Sequence, residues 1–130
     1  MLVCRTASSS VSSDPKTASL LSIDERRVGD RVLLTAIGEV DISSVADLQL
    51  ALEAVRDSDA AEIWLDFTPM TFMDCSGLRA LLSLHASLQD ADRRLVLICP
   101  PGPVLRLLVL TEVNRVLEIH PTFTAAQYAN

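Results

Sequence analysis

Lysine occurs once in this chain, at Lys16, and histidine twice, at His85 and His120. A Gly-rich phosphate loop needs a lysine at its end, and the single one lies near the N-terminus, away from any such loop. A nucleophile–base pair cannot be built from two scattered histidines. Four glycines are too sparse for a dinucleotide fingerprint. Three cysteines, Cys4, Cys75 and Cys99, have no metal-ligand spacing, so free thiols are expected and neither metal nor cofactor is. Long apolar runs are also missing: the longest, Val104 to Leu110, is interrupted by Arg106, which argues against membrane insertion. The first 13 residues lack the apolar stretch of a signal peptide, so the expected location is cytoplasmic. Basic residues number 11 against 17 acidic ones, for a net charge of −6, which speaks against a nucleic-acid surface.

What is present is a single-domain length of 130 residues with 49% hydrophobic composition, enough to bury a core without staples. Residues 1–16 carry Ser8, Ser9, Ser10, Ser12 and Ser13 with little apolar content and read as a flexible tail, leaving residues 17–130 as the domain. Leu20, Leu21 and Ile23 suggest a first strand, the turn Val28-Gly29-Asp30 follows, and Arg31 to Ile37 returns as a hairpin partner. Val45, Leu48, Leu52 and Val55 recur at helical spacing, so residues 44–56 form a helix that Ser43 or Ser44 caps. Glu62 to Phe67 is a buried-type strand, with Trp64 and Phe67 in the core, and residues 68–73 form a loop. Leu78, Leu81, Leu82, His85 and Leu88 mark a second helix, with His85 at the core edge. Leu95 to Cys99 is a strand, Pro103 opens a third helix to about Val113 with Asn114 at its end, and Val116 to Ile119 is the last strand. Thr122 caps a short final helix through Tyr128. The resulting order is ββαβαβαβα: an α/β fold whose mixed central sheet carries helices on at least one face, its crossovers demanding parallel neighbours.

Three local patterns raise the reading above a generic α/β domain. They are the turn Gly38-Glu39-Val40-Asp41, the segment Leu65-Asp66-Phe67 through Phe72-Met73-Asp74-Cys75-Ser76-Gly77-Leu78, and the Pro-rich approach to an Arg-bearing helix. From about Ser19 to Tyr128 this arrangement resembles the STAS domain, in particular the stand-alone anti-sigma factor antagonists. The resemblance implies a STAS fold and a protein that is not an enzyme. It implies partner switching: the antagonist binds an anti-sigma factor, usually an ATP-binding kinase-like protein, and so releases a sigma factor. It also implies control by phosphorylation of the hydroxyl directly after the motif aspartate, which blocks binding. Asp41 and Asp74 fall at family positions near the docking surface, together with Cys75, Ser76 and Gly77.

Cys75 stands where that family carries its Ser or Thr phosphoacceptor. Two alternatives follow: Ser76 takes the phosphate, or control does not run through phosphate. A redox route has a physical basis, because a thiol at a helix N-terminus has raised reactivity, and Cys99 at the next strand end is a conceivable partner. The plain reading of both is a small side chain filling space. Cys4 is a candidate for an intermolecular disulfide. Asp41 is either a docking residue or a charge at a helix start. Arg79 and Ser83, on the polar face of the second helix, are candidate partner contacts or part of a solvated face. His120 has no evident partner. The rival readings are a STAS subunit of a membrane lipid-transport ATPase complex and a scaffold in a stress-signalling assembly; oligomeric state stays open.

Overall fold

The computed structural model describes residues 21–128 and the backbone of residues 3–6. Seven strands form one mixed sheet: β1 (Val3–Thr6), β2 (Leu21–Val28), β3 (Arg31–Val40), β4 (Glu62–Asp66), β5 (Met70–Met73), β6 (Arg94–Ile98) and β7 (Glu118–His120). The helices are α1 (Val45–Arg56), α2 (Cys75–Asp90), α3 (Pro103–Leu110) and α4 (Phe123–Gln127). The lateral order is β1-β2-β3-β4-β6-β7, with β5 beside β3. β2 and β3 form the expected antiparallel hairpin, and β3, β4, β6 and β7 run parallel, as the crossovers require.

Period-2 alternation sorts the sheet into two faces. Val32, Leu34, Ile63, Leu65, Leu95 and Leu97 point toward α1, α2 and α3 and form the main core. Trp64, Val96 and Ile98 point the other way, where α4 covers them with Ala126 and Phe123; the Trp64 and Phe123 rings lie 5.2 Å apart. Trp64 and Phe67 are buried, as expected, and His85 is half-buried.

Three expectations need correction. Val3–Thr6, read as tail, pairs antiparallel with β2 from Val3↔Arg27 to Thr6↔Asp24. The physical reason is that β2 would otherwise present an open edge, and the serine-rich stretch begins only after Thr6. The serines Ser8 to Ser13 and the Cys4 side chain lie outside the described residues. Second, residues 70–73 are a strand and not a loop. β4 spans only Arg31 to Thr35 of the longer β3, so the end of β3 needs another partner, and β5 supplies it. Third, α3 stops at Leu110. The Thr111 hydroxyl donates back to the Leu107 carbonyl at 2.7 Å, and Glu112 turns left-handed at φ 61°. A 3-10 turn over Val113–Arg115 contains Asn114, and β7 begins two residues later than Val116.

Candidate functional site

The parallel strands β3 and β5 end side by side, and an aspartate follows each: Asp74 caps α2, and Asp41 opens the turn that leads into α1. Val40 pairs with Met73, so Asp41 and Asp74 leave adjacent strands about 4.8 Å apart in the hydrogen-bonding direction. The Asp74 amide donates to the Val40 carbonyl at 3.1 Å, which holds the two ends together. One residue back the ladder shifts between Gly38 and Glu39. Gly38, at φ 114°, supplies the backbone conformation this irregularity requires, donating to the Pro69 carbonyl at 3.1 Å and accepting from the Thr71 hydroxyl at 3.2 Å.

Each aspartate is committed locally through one carboxylate oxygen. Asp41 Oδ1 accepts from the Ser43 amide at 2.9 Å, the Ser43 hydroxyl at 2.6 Å and the Ser44 amide at 3.2 Å. The Ser43 hydroxyl bond is the leading reason that the Asp41 carboxyl is held below its ordinary 3.8. Ser44 occupies the N-cap position of α1 but does not cap through its hydroxyl. That buried hydroxyl turns back, donates to the Glu39 carbonyl at 2.9 Å and accepts from the Asp41 amide at 3.0 Å. Asp74 caps α2 directly: its Oδ1 accepts from the Ser76 amide at 2.9 Å and from the Ser76 hydroxyl.

Gly77 explains why the motif needs a residue without a side chain. A Cβ there would meet Met73 Cγ at 2.7 Å and Val40 Cγ1 at 2.9 Å. The first turn of α2 is thereby seated directly on the ends of β3 and β5, and the two motifs become one surface. Cys75 is exposed at the first helical position, and Ser76 is half-buried beside it. Arg79 and Ser83 follow on α2, both exposed, at the groove between α1 and α2.

The described structure thus brings together six of the residues singled out from sequence (Asp41, Asp74, Cys75, Ser76, Gly77 and Arg79), with Ser83 one turn further. Cys99 is apart in character: it is buried, and burial pushes its thiol up to about 11. Cys75 and Cys99 are both free thiols. His120 does have a partner, the Glu118 carboxylate at 2.9 Å, on the opposite edge of the sheet. Two apolar members escaped the sequence reading. Ile42, in the turn after Asp41, is 85% exposed, and Phe72, in register with Glu39, is 45% exposed. Their signal was the position of bulky side chains within the two motifs at points where the core had no use for them.

Among the described residues, no helix is long and apolar enough to cross a membrane, and no group of His, Cys, Asp or Glu could hold a metal ion. A protein named anti-sigma-B factor antagonist, from Listeria monocytogenes, is 26% identical over 99 residues, covering 76% of this chain and 86% of that protein. The crystal structure of an anti-sigma factor antagonist from Mycobacterium paratuberculosis superposes with a TM-score of 0.79 at 18% identity, over 84% of this chain and 92% of that one. The Bacillus cell fate determinant SpoIIAA, in its phosphorylated form, gives a TM-score of 0.63 at 17% identity over 83% and 99% of the two chains. The family model of the STAS domain matches residues 22–126, from β2 to α4, and the chain belongs to that family.

Proposed function

We propose that this chain is an anti-sigma factor antagonist, a binding protein without catalysis of its own, whose partner is an ATP-binding, kinase-like anti-sigma factor of the cytoplasm. The observation that carries the reading is the fusion of two motif segments at one sheet end, where Asp41 and Asp74 leave paired strands beside exposed Ile42 and Phe72. The relative named anti-sigma-B factor antagonist supports the same reading. Asp41, Asp74, Cys75, Ser76, Arg79 and Ser83 form the docking face, with Gly77 seating it from beneath. An apolar centre rimmed by charge is the composition of a specific, reversible interface.

Control falls on the first turn of α2. Ser76 is the phosphoacceptor in this proposal: its hydroxyl oxygen attacks the γ-phosphorus of ATP, ADP leaves, and the hydroxyl proton is lost. The hydroxyl must first leave Asp74, and the phosphate would then face that carboxylate and any acidic group of the partner across the interface. The exposed Cys75 thiol is a second point of control, through oxidation. Cys99, buried and protonated, is poorly suited to join it.

The test is titration calorimetry of the purified chain against each anti-sigma factor of its genome, followed by incubation with ATP and peptide mass analysis. One partner is expected to bind tightly, to place one phosphate on the peptide carrying Ser76, and to bind Ser76→Asp more than about tenfold more weakly. Absence of binding to every anti-sigma factor overturns the reading; an unmodified Ser76 moves control to Cys75, to be tested by binding before and after peroxide treatment.

A further inference from the structure

Arginine charges in this molecule are mostly answered from within. Arg27 meets Asp59 at 2.7 Å, Arg94 meets Glu118 at 2.6 Å, and Arg93 is spent on backbone carbonyls. Arg106 and Arg79 are different: neither side chain has a hydrogen bond or an ion pair among the described residues, and Arg79 is the one on α2. It stands over an open groove of about 370 Å³ between α1 and α2. The apolar lining comes from Leu52 on α1 and from Ala80 and Leu84 on α2, while α1 also contributes Glu53 and Arg56. Arg56 is already held by Asp57 at 3.0 Å, so Arg79 is the cation of the groove that no side chain holds.

The groove continues the docking face. Cys75, Arg79 and Leu82 fall at helical spacing on one exposed stripe of α2, so a partner covering the motif also covers Arg79. An exposed guanidinium without a partner of its own selects for negative charge opposite. The apolar floor selects for a side chain with methylenes to lay on it. The Glu53 carboxylate, within the same groove, opposes any anion but opposes a dianion such as phosphate more strongly than a single carboxylate.

We propose that the α1–α2 groove receives a glutamate of the anti-sigma factor, its methylenes over Leu52, Ala80 and Leu84 and its carboxylate on the Arg79 guanidinium. Arg79 is then a specificity-determining residue, choosing among related anti-sigma factors by one charge pair. The inference rests on the antagonist reading.

The experiment measures the affinity of the wild-type chain and of Arg79→Glu for the anti-sigma factor that the wild type binds, at low and at physiological salt. Unchanged melting temperature shows that the exposed substitution leaves the fold intact. Arg79→Glu is expected to bind more than about tenfold more weakly, with a flatter salt dependence. In a set of single Glu→Arg variants covering the exposed glutamates of the anti-sigma factor, one is expected to restore binding to Arg79→Glu while losing it to the wild type. Equal binding by Arg79→Glu and wild type overturns the groove assignment and leaves the antagonist reading standing, as does the absence of any restoring variant. Failure of the wild type to bind any anti-sigma factor overturns both.

Discussion

Gly77 and Asp41 show how single residues build the proposed docking face. Gly77 lies where the Val40 and Met73 side chains leave no room for a methyl group, so the Gly77→Ala variant must displace those side chains or lift α2 off the strand ends that precede the two aspartates. Alanine gains up to about 1 kcal/mol of helix propensity, but overpacking of this kind costs about 1–3 kcal/mol. A net loss of about 1 kcal/mol is expected in urea unfolding, with a larger relative loss of partner affinity because the site itself is displaced. Asp41 contributes in a pH-dependent way. Its folded carboxyl is held below 3.8 by Ser43, so its contribution is complete above that ordinary value and is lost as pH falls through the lower folded one. Urea midpoints measured at about pH 6 and about pH 3 should fall further for the wild type than for Asp41→Asn.

At the scale of elements, one arginine ties three of them together. Arg93, in the turn after α2, donates to the carbonyls of Ala60 at 2.8 Å, Arg56 at 2.6 Å and Val55 at 3.2 Å. The Arg56 carbonyl at the C-terminus of α1 is thereby satisfied, while that of Val55 also accepts from the Ser58 amide and hydroxyl. Arg93→Ala is expected to destabilise by about 1.5–3 kcal/mol, and Arg93→Lys to recover little of it, because one ammonium cannot reproduce the planar fork. Chemical denaturation of the two variants checks this.

Most elements were legible in the sequence because their periodicity was undisturbed. Val45, Leu48, Leu52 and Val55 announce α1, and the apolar runs of β4 and β6 announce a buried parallel sheet. β1 and β5, four residues each, were not legible: both exist to satisfy an edge or end of a longer strand, a need created by tertiary structure and not by their own residues. The end of α3 was missed for the same kind of reason, since the left-handed turn falls on Glu112 and not on the more permissive Asn114. The site was legible in its polar members, which lie within the motifs, whereas Phe72, read as part of a loop, and Ile42, after the Gly38–Asp41 turn, drew no notice until the core proved to be filled without them.

The whole molecule is a sheet with two differently treated faces and one functional end. Helices α1 to α3 seal the larger face, α4 covers Trp64 on the other, and the proposed docking surface lies where β3 and β5 stop. Nothing in this plan needs to move for a partner to dock, so binding should be fast and sensitive to small changes at the sheet end. The most direct measurement is sigma release: a fluorescently labelled sigma factor is bound to its anti-sigma factor, and its anisotropy is followed as the chain is added. The wild type is expected to release the sigma factor, and Ile42→Glu, a substitution at an exposed position, is expected not to. No release by the wild type, or equal release by Ile42→Glu, would contradict this expectation.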